Sequence, residues 1–193
     1  LSEESARYMI KAVYEPHFEH FKEYFGNTLE GFFSDEPCFD NRDANREFVL
    51  ELGRPNTYYP WNDCLIEMLK EELGEDAKKY LPFLWQRAAD HIEAKIRTAY
   101  MNCITRLYQK NFSMALGDWC REHGVLYTGH VVEDNNTHTK TSAGAGHYFR
   151  AMSGEDIPGV DVVLNQIIPG MADYPVLGEV CYRLCDNKFF HYT

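Results

Sequence analysis

Leu29-Glu30-Gly31-Phe32-Phe33-Ser34-Asp35-Glu36-Pro37 is a short apolar run that leads into two adjacent acids and stops at a proline. Proline donates nothing to a β-ladder and pushes the residue before it toward extended geometry, so the run predicts a strand with Glu36 at its carboxyl end. In folds that alternate strands and helices, that end is where binding and chemistry collect. Acids beside a core are costly unless they hold a metal, a polar ligand or a proton in transfer. The competing reading is a solvated loop after a strand.

A second stretch repeats the pattern. Val125-Leu126-Tyr127-Thr128-Gly129-His130-Val131-Val132 is apolar and ends in Glu133-Asp134, and Gly159-Val160-Asp161-Val162-Val163 predicts a third strand. Helical spacing fills the intervals. Ser2 is a suitable N-cap for a helix reaching about Tyr24, kinked or divided by Pro16 and closed by Gly26-Asn27. A further helix is expected from Trp61 to Leu73, with Gly74 behind it. Another starts near Pro82 and has no glycine or proline from Phe83 to Leu116, with a break expected near Gly117 or earlier. A short helix ends near Met152. With a final helix expected from near Val176, the order helix, strand, helix, strand, helix, strand, helix predicts an α/β fold with parallel strands. Neither glycine-rich phosphate signature is present, so a partial (β/α) TIM-type barrel of about three strands is the expected architecture, with residues 1–193 as a single unit. Such a barrel normally takes about 250 residues, so the chain reads as a fragment of a larger catalytic domain, with strand edges through which a homodimer could form, the alternative being a self-sufficient compact sheet of a different kind.

Composition narrows the partners. The chain is 45% hydrophobic and 25% charged, and its 19 Lys and Arg against 30 Asp and Glu give a formal charge of -11. The basic residues form no stripe, which argues against nucleic acid and anionic membrane. No apolar run of membrane-spanning length occurs. The six cysteines (Cys38, Cys64, Cys103, Cys120, Cys181 and Cys185) lack Cys-x-x-Cys spacing, which disfavours zinc, favours free thiols and leans toward a cytoplasmic setting.

Two carboxyl groups flanking one bond are what glycoside hydrolysis requires, one protonating the leaving oxygen and the other activating water or attacking. Glu36 and Glu133 form the candidate catalytic pair, because the longer glutamate side chain reaches from a strand end into a cleft. Asp35 and Asp134 would shape the charge or bind calcium through oxygen ligands. His130 stands three residues before Glu133, where it could meet a sugar hydroxyl or be satisfied inside the fold. Asp161 is assigned to the same cleft. Among Tyr58, Tyr59 and Trp61, Tyr59 and Trp61 are candidates for stacking on a sugar ring, and packing on the following helix is the alternative.

Three motifs carry a resemblance. Gly31-Phe32-Phe33-Ser34-Asp35-Glu36-Pro37, then Trp119-Cys120-x-x-His123-Gly124 leading into Gly129-His130-x-x-Glu133-Asp134, then Asp156-Ile157-Pro158-Gly159-Val160-Asp161 resemble the middle of the catalytic barrel of rhamnosidase-type glycoside hydrolases, family 106 and its bacterial relatives. The resemblance implies an inverting hydrolase acting on α-L-rhamnosides or related glycans, with Glu36 matching the acid, Glu133 the second glutamate, and calcium nearby. A retaining β-galactosidase-like hydrolase and a non-catalytic carbohydrate- or calcium-binding module are the alternatives.

Overall fold

The computed structural model describes residues 2–37, 39, 58–131, 144–160 and 191–192. Ser2 caps the first helix, its hydroxyl accepting from the Ser5 amide at 3.1 Å. Glu3 and Glu4 add negative charge to that first turn, where the helix dipole favours it. This helix, α1 (Glu3–Met9), continues through a widened π-helical turn at Ile10–Tyr14 into α2 (Glu15–Phe21). The π turn lies directly ahead of Pro16, and such a turn accommodates a ring that an unbroken α-helical ladder would reject. It also turns Tyr14 inward, stacked on Phe32 at 4.5 Å and edge-on to Trp119 at 5.3 Å.

Strand β1 is Gly31–Ser34, beginning two residues later than the sequence suggests and reaching the serine before the acids. Helix α3 (Leu65–Leu73) ends at Gly74, and the brief α4 (Ala77–Tyr80) runs into a 3₁₀ turn at Leu81–Leu84. The next helix starts at Glu93 rather than near Pro82, because turns occupy the intervening residues and His91 adopts φ 58°. From there α5 (Glu93–Tyr108), a second π turn at Gln109–Ser113, and α6 (Met114–Glu122) form one helical run. The expected interruption is therefore the π turn, which widens the helix without ending it. Gly117 lies inside α6, where a methyl group would collide with the Gly154 carbonyl oxygen.

Strand β2 is Leu126–Gly129, helix α7 is Tyr148–Met152, β3 is Ile157–Val160, and β4 is His191–Tyr192. The third strand thus opens two residues earlier than expected, and Asp161 to Val163 lie outside the described residues. Strands β1, β2 and β3 form a parallel sheet in sequential order, with Gly31 opposite Leu126 and Thr128 opposite Ile157, and β4 adds a two-residue parallel pairing to β3. The protein is α/β.

Phe32, Tyr127, Val131 and Val160 carry one sheet face into the helical layer, joined by Leu116, Trp119, Tyr108 and Met152. Gly31 and Phe33 are exposed and Leu126 and Thr128 half-buried on the other face, consistent with the two-residue period of a strand. The first half of the long helical run packs with α3 and α4 around Leu65, Leu69, Tyr100 and Ile104. Among the described residues, no helix is long and apolar enough to cross a membrane.

Candidate active site

The parallel register sets the ends of β1 and β2 side by side, because Ser34 is opposite Gly129. One residue further the ladder is still closed, with the His130 amide donating to the Ser34 carbonyl at 3.0 Å. Asp35 and His130 therefore leave the sheet together at its carboxyl edge. The His130 Nδ1 lies 3.8 Å from Asp35 Oδ1, and the imidazole sits edge-on to Phe33 at 5.0 Å. Their environments differ: His130 is buried and the Asp35 side chain is 71% exposed.

Glu36 follows in the left-handed region at φ 44°, which a side chain with a Cβ adopts at a cost of roughly 1–3 kcal/mol. It is half-buried, and Pro37 restricts the backbone immediately behind it. His91 shares a positive φ but lies exposed in the turn before α5, so the conformation alone does not distinguish a site. What distinguishes Glu36 is its position beside the Asp35–His130 pair.

Support for this edge comes from beneath. The Tyr127 phenol is buried beneath this edge, near the side chain of Ser34, the last residue of β1. Burial pushes the Tyr127 and Tyr108 hydroxyls well above their ordinary ionisation range, and the neighbouring Glu155 carboxyl adds to the effect. Both phenols therefore stay protonated and keep a hydrogen to donate. Asp156 fixes the adjoining strand. One carboxylate oxygen accepts from the Tyr127 amide at 3.0 Å, and the other meets Arg121, which also donates to Gly154 and Asp118.

Sequence reasoning assigned no separate role to buried Glu155. Its signal is an adjacent acid pair, Glu155-Asp156, standing in front of a strand where Asp35-Glu36 stands behind one.

The other candidates are distributed as follows. Tyr59 belongs to the helical layer: its hydroxyl donates to the Leu84 carbonyl at 2.7 Å and its ring meets Trp85 and Tyr100. Trp61 is 52% exposed, and Tyr58 is exposed as well, so these two rings are open to a ligand. Glu133, Asp134 and Asp161 lie outside the described residues. Among the described residues, no group of three or more His, Cys, Asp or Glu side chains is arranged to hold a metal ion.

Chemically, the described edge offers a carboxylate on strained backbone, an exposed aspartate and a buried imidazole within reach of it. That set can donate or accept a proton and orient hydroxyl groups. No protein-family model matches the chain, and no curated protein matches it in sequence.

Proposed function

We propose that this chain carries part of the catalytic centre of a glycoside hydrolase with a (β/α)-barrel architecture. The observation that carries the proposal is the convergence of Asp35, Glu36 and His130 on one carboxyl edge of a parallel sheet. Sequential strand order and helices packed on one sheet face support the barrel reading. In this scheme Glu36 protonates the departing glycosidic oxygen. Glu133, four residues beyond the end of β2, supplies the second carboxylate.

With a separation of about 6.5–9.5 Å the pair would hold a water and invert the anomeric centre, whereas about 5 Å would favour retention. Asp35 and His130 hold substrate hydroxyls, and Asp134 and Asp161 complete the polar lining, with these carboxylate oxygens as candidate calcium ligands. Exposed Trp61 supplies a stacking face. The substrate class to test first is α-L-rhamnosides.

The test is turnover of an aryl α-L-rhamnoside, with the first product's anomer read by NMR. Glu36→Gln should lower kcat by about 10²–10⁴-fold while leaving the unfolding midpoint nearly unchanged. Wild-type turnover in that variant removes Glu36 as the acid. The open rings of Tyr58 and Trp61 favour one second reading, a module that holds carbohydrate without cleaving it; calorimetric sugar binding with no hydrolysis by the wild-type protein selects that reading.

A further inference from the structure

We propose that the cleft between α3, α5 and α7 binds a small organic anion with an apolar body, such as an aromatic or short alkyl carboxylate. The cleft encloses about 490 Å³, within the range of small-molecule sites. None of the residues assigned to the candidate active site lines it, so it stands independently of the hydrolase proposal. Ala99, Met101 and Thr105 form a buried wall along α5. Lys95 and Arg150 line the same space from α5 and α7.

The charge arrangement selects the ligand. The Arg150 guanidinium donates through Nη1 to the Asn102 side-chain oxygen. Asn102 passes the contact on, its amide donating to Glu72 Oε1 at 2.7 Å. Glu72 is in turn 3.8 Å from the Arg106 guanidinium. The cleft's own carboxylate is therefore answered by Arg106 and Asn102, while Arg150 is held by a neutral amide. That amide fixes the guanidinium without cancelling its charge.

Among the described residues, neither Arg150 nor Lys95 forms an ion pair, in a chain whose formal charge is -11. A planar guanidinium with donors to spare matches a carboxylate in two-point geometry. The apolar wall covers the rest of a ring or short chain, which gives inorganic anions little to gain.

The test is to titrate the full chain with benzoate and with benzyl alcohol, its neutral counterpart, by calorimetry and by amide NMR. Benzoate should bind saturably at millimolar concentrations, about tenfold tighter than benzyl alcohol, with shifts centred on Met101, Asn102 and Arg150. Arg150→Gln keeps a polar group opposite Asn102 and should weaken benzoate about tenfold while leaving benzyl alcohol unaffected. Thr98→Trp, introduced at an exposed position lining the cleft, should abolish binding of both without changing the circular dichroism spectrum. Equal affinity for the two probes, shifts centred elsewhere, unchanged benzoate binding in Arg150→Gln, or no benzoate binding at millimolar concentration would each overturn the proposal.

Discussion

Glu36 and the buried cysteines illustrate two ways in which surroundings set a residue's chemistry. For Glu36 the backbone matters: a left-handed conformation at a strand end is retained where neighbouring structure over-determines it, here the β1–β2 ladder on one side and Pro37 on the other. For Cys103 and Cys120 burial matters. It pushes their thiols up to about 11 and about 12, so both remain protonated at neutral pH, whereas Cys64 is exposed. A thiol reagent at neutral pH should therefore label Cys64 rapidly and reach Cys103 and Cys120 only after denaturation. The same shifts carry a pH dependence. Unfolded thiols ionise near pH 8.5, so the contribution of these groups to stability is complete below that value and is lost as pH rises toward the folded values. The urea midpoint should fall between about pH 8 and 10, and a Cys103→Ala/Cys120→Ala protein should lose less over that interval.

At the scale of elements, the junction of α6 with the turn before β3 is the tightest constraint described. A methyl at Gly117 meets the Gly154 carbonyl, and one at Gly154 meets the backbone of Ser113, whose hydroxyl accepts from the Gly154 amide at 3.0 Å. Gly117→Ala should cost about 1–3 kcal/mol by overpacking, seen as a lower thermal midpoint, whereas Ala at Gly74, where a methyl meets nothing, is strained only through its φ of 86°. The strands were legible in the sequence because Gly-Phe-Phe and Leu-Tyr-Thr-Gly are short apolar runs ended by polar residues. Helix α1 was legible from its serine cap.

The start of α5 was not, since Ile92 occupies the cap position with no side-chain hydrogen bond, and no proline or glycine marks the boundary. Pro16 marked the first π turn, but the second was silent: it adds one residue to a helical turn, and apolar spacing on either side still reads as ordinary helix. Within the candidate site, the shared edge of two strands ending in acids was legible, but the approach of His130 to Asp35 and the φ of Glu36 were not, because both depend on register and backbone conformation that residue types do not encode. Tyr59 illustrates the ambiguity of aromatic clusters: adjacent rings diverge, one into the helical layer and another toward solvent.

Across the whole molecule, the run from Glu93 to Glu122 spans about 45 Å, while a four-residue strand spans about 13 Å. The helix therefore serves two layers, its first half packing α3 and α4 and its second half covering the sheet. Parallel sheets are ordinarily covered on both faces, yet Phe33 is 50% exposed on the face opposite the helices.

The register has a consequence in time as well as in space. Gly31 meets Leu126 across about 95 residues of chain, so closing β1 onto β2 requires a large loop to form, whereas α3, α4 and α5 close on near neighbours. The helical layer is expected to acquire protection first in pulsed hydrogen exchange, and the amides of β1 and His130 last. Asp35, Glu36 and His130 are then strangers until the final step of folding: the chain assembles its scaffold before the acids that would make it reactive are brought together.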